Sequence, residues 1–344
     1  SDLNSYIDLN PSYDESQNAY PIRISVKEGT DMTSLAPIFE LTPGATISPA
    51  SGSVQNFTTP VRYTVTSEDK AWHRVYAITA REQKASNIPT TYHFEKVRIM
   101  QNVWQEFYEE QDSGNELTWA SGNKGFKWAM SEAATEDYPT TQIDNGKTGK
   151  CVKLETRLTG DLGNMVGMPI AAGNLFIGSF DMLNAITNPL SATRFGTPFY
   201  NKPLRLTGYY KYKAGEQFYE NGEYTSRKDI FNIYAIFYDG VKYDSAGKGT
   251  DVTLDGNLPN QNYEHSSMVA LALVSNPQET EGDEWKFFDI PFDYQRYGKK
   301  IDEARLAKGE YKIGIIFASS KDGATFEGAP GSTLLIDEVE LIYE

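Results

Sequence analysis

Short segments in which apolar and polar side chains alternate occur throughout this sequence of 344 residues. In residues 20–29, for example, Ile22, Ile24 and Val26 fall on one side of an extended chain. A two-residue period is typical of β-strands with one buried face. Because such segments recur between turns that contain Gly and Pro, the sequence predicts an all-β fold.

A polar stretch at residues 81–90 divides these segments into two groups. Before it, residues 61–80 predict a hairpin, and the neighbouring strands predict an immunoglobulin-like β-sandwich over residues 1–86. After it, longer candidate strands predict a jelly-roll β-sandwich over residues 87–344. The chain is too long for one small domain, which agrees with this division.

Four segments of the second part depart from the strand pattern. Residues 101–110 (QNVWQEFYEE) predict a short helix, and residues 301–309 (IDEARLAKG) predict one helical turn. The stretches 112–145 and 240–265 are rich in Gly, Asn and Asp, and they predict long loops that can cover a pocket.

The net charge of −15 at pH 7 limits the partners of the chain. An acidic protein repels phosphates, so the charge argues against nucleic acid and against direct contact with an anionic membrane. A neutral ligand such as a glycan is unaffected by this charge. No apolar run approaches the ~18 residues of a membrane-spanning helix.

The sequence contains no GxSxG motif, no Walker motif and no GxGxxG motif before a helix. Cys151, the only cysteine, lies in an alternating segment and is expected to be a buried free thiol. His73, His93 and His265 lack the spacing of metal ligands. A pair of catalytic carboxylates stays possible, because acids distant in sequence can lie roughly 5–10 Å apart in a fold.

The outward faces of the candidate strands at 203–213 and 229–239 combine aromatic and polar side chains. An aromatic ring can pack on the apolar face of a sugar, while amide and charged groups hydrogen-bond its hydroxyls. The alternative is an ordinary solvated strand face, since Tyr is common in strands. We predict a glycan pocket lined by Arg205, Tyr209, Lys211, Asn232, Tyr234 and Tyr238, with Trp128 as a further aromatic contact.

The segment 319–332 (SSKDGATFEGAPGS) predicts a long connection between two strands. Loops held by rigid strands often carry binding residues. Its candidate ligand contacts are Ser320, Lys321, Asp322 and Glu327; the alternative is a plain solvated loop.

Several stretches resemble the family named the putative carbohydrate-metabolism domain. They are NLFIGSF at 174–180, FGTPF at 195–199, PLRLTGYYKYKAG at 203–215, DIFNIYAIFYDG at 229–240, and the run from FASSKDG to DEVEL at 317–341. ELTPGATISPASG and YTVTSEDKAWHRVYAIT resemble the immunoglobulin-like domain that commonly precedes it. The resemblance implies glycan binding in a jelly-roll pocket, in a polysaccharide-using gut bacterium.

The resemblance also implies a location. Family members typically follow a lipoprotein signal peptide, so a cell-surface, outer-membrane lipoprotein is expected. It can lie on either the extracellular or the periplasmic face of that membrane. The opening SDLNSYIDLN then fits the start of a trimmed chain without its lipid anchor. Oligo- or polysaccharides, and other surface proteins of polysaccharide utilisation, are the expected partners.

Many carbohydrate-binding jelly rolls resemble this chain in opening on Phe-Glu and closing on Ile-Asp-x-Val. In them the two acids help to hold a structural calcium, which implies a site shared by Glu95 and Asp337. Strand parity places Asp337 with Val339 and Leu341 on the predicted inward face, where a carboxylate needs a partner. A paired or hydrogen-bonded Asp337 without metal is the alternative, and no other cofactor is expected.

The favoured interpretation is a glycan-binding protein with no assigned catalytic residue. A glycoside hydrolase that uses carboxylates in the same pocket is the first alternative, with Asp229, Asp239, Asp322 and Glu327 as the candidate acids. An adhesin-like structural component is the second alternative.

Overall fold

The structure is a computed structural model that describes residues 3–4, 11–83, 85–111 and 114–344. It divides into two compact units, residues 1–85 with Glu344 and residues 86–343. Strands dominate both units, so the expected all-β class is confirmed. Among the described residues, no helix is long and apolar enough to cross a membrane.

The first unit contains five strands: β1 (Leu3–Asn4), β2 (Tyr20–Lys27), β3 (Thr46–Ser48), β4 (Val61–Thr66) and β5 (His73–Gln83). They form one sheet in the order β1-β2-β5-β4-β3, in which β2 and β5 are parallel. The predicted hairpin is confirmed as β4 and β5. Ile24, Phe57, Tyr63 and Ile78 form its apolar core.

The strands of the second unit are β6 (Thr91–Tyr92), β7 (Val97–Met100), β8 (Trp104–Glu110), β9 (Glu116–Thr118), β10 (Thr140–Asp144), β11 (Lys150–Glu155), β12 (Arg157–Leu158), β13 (Ile170–Ala171), β14 (Asn174–Phe176), β15 (Gly178–Phe180), β16 (Thr193–Phe195), β17 (Thr197–Pro198), β18 (Pro203–Lys213), β19 (Phe218–Glu220), β20 (Glu223–Thr225), β21 (Asn232–Asp239), β22 (Val241–Tyr243), β23 (Gly249–Asp251), β24 (Leu254–Asp255), β25 (Met268–Leu273), β26 (Lys286–Pro291), β27 (Tyr311–Ala318) and β28 (Thr333–Tyr343). Its helices are α1 (Asn123–Ala129), α2 (Gly160–Met165), α3 (Met182–Thr187) and α4 (Glu303–Leu306). Single 3-10 turns lie at Thr135–Asp137, Pro189–Ser191, Pro259–Gln261 and Gly323–Thr325.

Two antiparallel sheets form the body of this unit. Sheet one has the order β10-β11-β28-β18-β26, and β6 pairs with β28. Sheet two has the order β14-β27-β21-β25, and β17 pairs with β27. Leu206 and Ile336 from sheet one pack in a common core with Ile233 and Ile315 from sheet two. The unit is therefore a β-sandwich whose neighbouring strands are mostly distant in sequence, as in jelly rolls.

Of the two helical segments predicted from the sequence, one is confirmed and the other is wrong. The predicted helical turn is confirmed as α4, which begins after Asp302, whose carboxylate accepts hydrogen bonds from Ala304 N and Arg305 N. The helix predicted over residues 101–110 is wrong, because β8 occupies most of that range. Trp104 and Phe107 are spaced for a helix face, but pairing of β8 with β7 and β9 overrides that local pattern.

A β-bulge in β28 also changes a prediction. Thr207 of β18 pairs with Glu340, whereas Tyr209 pairs with Asp337, so one extra residue is accommodated opposite Gly208. Glu338 adopts a φ of 48° there. The bulge reverses strand parity, so Asp337 does not share the inward face of Val339, although it is fully buried.

The outer face of sheet two is covered, and this positions the candidate site. Tyr234, Ile236 and Tyr238 of β21 pack there in a second apolar cluster. Phe195 and Tyr263, from the connections that cross this face, belong to the same cluster. Sheet two is therefore buried on both sides.

Candidate functional site

A recess of about 180 Å³ lies between the outer face of sheet two and its covering segments. Asn232 and Tyr234 of β21, Phe176 of β14, Phe195 of β16 and Ile316 of β27 line it. A cavity of ~150 Å³ can hold benzene, so this volume suits one six-membered ring.

Helices α1, α2 and α3 supply residues to the walls of the recess. Asn123 fixes α1, because its amide accepts from Thr140 N (3.1 Å) and donates to Thr140 O (2.7 Å). Asp181 caps α3 by accepting hydrogen bonds from Leu183 N and Asn184 N. Trp128 near the end of α1 lines the recess and is 39% exposed, so it lies at the mouth.

The turn Gly323–Thr325 forms another part of the wall. It packs so closely on Ala172 that a Cβ atom on Gly323 would lie 2.2 Å from the Ala172 Cβ atom. Glycine is therefore required at this approach. Arg227 holds the same segment from outside by pairing with Asp322 and Glu220.

A buried carboxylate, Asp229, fixes the base of this wall. Its Oδ2 accepts hydrogen bonds from Ser320 Oγ (2.5 Å), Ser332 Oγ (2.7 Å) and Ala329 N (2.8 Å). Burial raises its pKa, while these hydrogen bonds act in the opposite direction. Thr156 Oγ1 extends the network to Ser320 Oγ at 2.6 Å. Asp229 thus ties together segments about a hundred residues apart in sequence.

The surface of the recess is mainly apolar. Seven aromatic residues line it, and Lys321 is the one charged residue among the described residues that do so. Asn232 donates from Nδ2 to Tyr263 Oη (2.9 Å), which leaves its Oδ1 available. Thr193 Oγ1 is buried without a hydrogen-bond partner, and Tyr234 Oη makes no hydrogen bond with the described residues. Burial raises the pKa of Tyr234, so its hydroxyl stays protonated at neutral pH.

The predicted ligand contacts do not form one group. Five of them line the recess: Trp128, Asn232, Tyr234, Ser320 and Lys321. Three others, Arg205, Tyr209 and Lys211, belong to β18 in sheet one. The prediction that these β18 residues share one pocket with β21 is wrong, because the two strands lie in opposite layers.

The outer face of sheet one is an open strip of paired charges and aromatic rings. Tyr209 packs against Phe287 with ring centroids 5.1 Å apart, and the latter is 54% exposed. Arg205 pairs with Asp289, and Lys211 pairs with Asp283. These contacts account for the three predicted residues of β18 without a ligand.

The remaining candidates make contacts within the protein. Tyr238 is fully buried and its hydroxyl donates to Phe195 O at 2.6 Å. Asp322 pairs with Arg227, and Asp239 receives a two-point contact from Arg305. Glu327 accepts a hydrogen bond from Asn221 N (3.3 Å) and borders a neighbouring groove. None of these four lines the recess.

Several lining residues were missed by the sequence analysis, notably Phe176, Phe180, Thr193 and Phe195. The resemblance to the family could have indicated three of them, because the stretches 174–180 and 195–199 contain Phe176, Phe180 and Phe195. The helices α1–α3 had no recognisable amphipathic period because each is shorter than two turns.

Glu95 and Asp337, the predicted calcium ligands, both contact the loop between β10 and β11. Glu95 Oε1 accepts from Lys150 N (2.8 Å), and Asp337 Oδ2 accepts from Thr148 N (3.0 Å). Burial raises the pKa of Asp337 to about 6. Oxygen atoms of this kind suit a hard cation, but no group of three His, Cys, Asp or Glu side chains occurs among the described residues. Calcium binding therefore stays a prediction.

Cys151 is confirmed as a buried free thiol. Burial raises its pKa to about 12, so it is not a reactive thiolate at neutral pH.

Comparisons with known proteins agree with this architecture. The family described as "Putative carbohydrate metabolism domain" matches residues 93–342, and the family described as "SGBP, N-terminal" matches residues 8–80. No curated protein matches the chain.

Two crystal structures, each described as a putative glycoside hydrolase, are similar over most of their length. One, from Bacteroides thetaiotaomicron VPI-5482, shares 46% identity over 95% of this chain and 91% of that chain, with a TM-score of 0.67. Another, from Bacteroides vulgatus ATCC 8482, shares 50% identity over 76% of this chain and 100% of that chain, with a TM-score of 0.70. The chain thus belongs to the putative carbohydrate metabolism domain family.

Proposed function

We propose that this protein binds a glycan non-covalently, with one terminal sugar unit held in the recess on sheet two. The observation that carries the proposal is the combination of an aromatic lining with unpartnered polar atoms on Asn232 and Tyr234. A sugar ring presents an apolar face to aromatic walls and hydroxyls to polar groups. The carbohydrate-related family supports this ligand class.

The test is a glycan panel read by binding calorimetry and by release of reducing ends. We expect binding without release, and a loss of about 30-fold in affinity in Trp128→Ala, because a buried aromatic contact contributes ~2 kcal/mol. Trp285→Ala is the matched control on the sheet-one side, where Lys211 Nζ lies 5.0 Å from the indole centroid. Weaker binding in the control alone would move the site to sheet one.

A glycoside hydrolase is the second candidate, because two similar crystal structures are described in that way. A groove beside the recess shares Phe126 with it and contains Asp137 and Glu155. Both acids contact Arg157, at 3.6 Å and 3.0 Å. Release of reducing ends that disappears in Glu155→Gln would favour hydrolysis over simple binding.

We also propose a cell-surface location, as an outer-membrane lipoprotein beside other proteins of polysaccharide utilisation. The match of the first unit to the SGBP N-terminal family supports it. Fractionation of the native protein, followed by mass spectrometry of its N-terminus, tests both the surface location and the lipid.

A structural calcium ion between Glu95 and Asp337 completes the proposal. Glu95, in the connection between β6 and β7, and Asp337 of β28 both contact the segment 148–150. Lys150 O lies beside Asp337, since a Cβ on Gly146 would approach both within 2.7 Å. A cation there would stabilise the loop and favour the ionised form of Asp337.

A further inference from the structure

The hydrogen-bonding capacity of the recess is low, because several of its polar side chains are already engaged. Asn174 accepts from Gly122 N through Oδ1 (2.8 Å) and donates to Ala172 O through Nδ2 (3.3 Å). Thr159 Oγ1 donates to Met168 O, and Ser320 Oγ donates to Asp229. These groups maintain the walls and are not free to bind a ligand.

Three polar groups remain for a ligand. They are Asn232 Oδ1, Tyr234 Oη and Lys321 Nζ, whereas Thr193 Oγ1 is enclosed by the protein. Asn232 and Tyr234 are each 3% exposed, so a ligand that reaches them has left water. The opposing surface comes from Phe126, Met168, Phe180 and Phe326 among others.

An unmodified terminal hexose carries four free hydroxyl groups, one more than the three polar groups that face a ligand here. A hydroxyl buried without a partner weakens binding about 5- to 150-fold. A 6-deoxy sugar lacks one such hydroxyl, while an O-methyl or O-acetyl group removes the O–H donor of another and adds apolar contact. The recess therefore discriminates in favour of sugars with fewer free hydroxyls.

We infer that the recess selects a terminal sugar in which hydroxyls are replaced or capped by small apolar groups, as in 6-deoxy, O-methyl or O-acetyl sugars. This preference for modified sugars rests on the glycan-binding role proposed above, and it specifies the ligand of the same site.

The helices around the recess also supply apolar side chains. Val166, which directly follows α2, lines the recess and is 39% exposed, and Met182 at the start of α3 lines it as well. They provide apolar contact area for a substituent of the sugar.

The experiment compares sugars that differ only in the substituent. The probes are the methyl glycosides of L-fucose against L-galactose and of L-rhamnose against L-mannose, and acetylated xylan before and after mild alkali. Binding is measured by calorimetry and by ligand-observed NMR. We expect at least one modified member to bind ~10-fold tighter than its partner, the effect of about one buried unpaired hydroxyl.

Two matched variants assign the effect to the recess. Ala324 is exposed and lines the recess, so Ala324→Trp obstructs it with little expected change in stability. Ala246, an exposed residue of the β22–β23 hairpin loop, does not line it, and Ala246→Trp is the control. The preference for the modified sugar should disappear in the first variant and persist in the second.

The other outcomes are distinct. Equal or tighter binding of the unmodified members, lost in Ala324→Trp, would overturn the substituent preference and leave the proposed function intact. A preference that Ala324→Trp does not change would exclude the recess as its origin. Absence of binding to every probe and to the whole glycan panel would overturn both the preference and the glycan-binding role.

Discussion

The two outer faces of the larger sandwich have opposite characters. On sheet one, Tyr209 and Phe287 lie in an open strip where charged residues pair with each other. On sheet two, Tyr234 lies under covering segments beside a recess with unpartnered polar atoms. Similar strand sequences therefore give a solvated surface on one side and a candidate binding site on the other. The difference arises from the segments that cross sheet two.

The largest expected effect concerns the wall of the recess. Asp229→Ala leaves Ser320, Ser332 and the Ala329 N–H without their acceptor, so we expect a loss of about 4 kcal/mol in the free energy of unfolding. Urea unfolding measures it. Asp289→Ala, on the open face, should cost less than ~1 kcal/mol. Equal losses would contradict the contrast between the two faces.

The stability of the protein should depend on pH through Asp337, the buried acid on the sheet-one side. Its pKa of about 6 exceeds the ordinary 3.8, so the folded state holds the proton more tightly than the unfolded state. In EDTA, the free energy of unfolding of the wild type should fall by up to about 3 kcal/mol relative to that of Asp337→Asn as pH rises from about 4 to above 6.

The matched control for this prediction is Asp144→Asn, which removes an exposed acid next to the same loop and leaves Asp337 in place. If the cation proposal holds, added calcium at pH 7 should stabilise the wild type and Asp144→Asn but not Asp337→Asn. A pH-independent difference would show that burial does not raise the pKa of Asp337.

Substitutions of two tyrosines in β21 should have different effects, one on ligand affinity and the other on stability. Tyr234→Phe removes a hydroxyl that makes no hydrogen bond with the described residues, so affinity should fall about 5- to 30-fold while stability is kept. Tyr238→Phe removes the donor to Phe195 O and should cost ~1 kcal/mol of stability, with affinity unchanged. Calorimetry and thermal unfolding of both variants measure this; a reversed pattern would place the ligand elsewhere.

The smallest effect is expected on sheet one. Tyr209→Ala removes a partly exposed ring, so glycan affinity should change less than 2-fold if the recess is the site. The same calorimetric titration measures it. A large loss of affinity would restore β18 as part of the ligand site.

Strand parity was predictable from the sequence. The two-residue period of residues 203–213 separates Tyr210 and Tyr212, which lie in the core, from Tyr209, which lies outside it. In β21 it correctly grouped Asn232, Tyr234 and Tyr238, since a two-residue period survives any arrangement of sheets.

The assignment of β18 and β21 to different layers was not predictable, because it depends on long-range pairing. Nor does parity reveal which face is covered, since this depends on irregular segments such as those carrying Phe195 and Tyr263. The bulge at Glu338 inverted the pattern within one strand, and no residue type in DEVEL indicates it.

The Asp229 network has a consequence for how fast a ligand can enter. Because the carboxylate joins residues 91 to 103 positions apart, the 319–332 segment cannot swing outward without disrupting contacts of the sandwich itself. Amide hydrogens in that wall should therefore exchange about as slowly as those of the core. Passage to and from the recess would depend on small displacements of the three short helices, and they would set the residence time of the ligand.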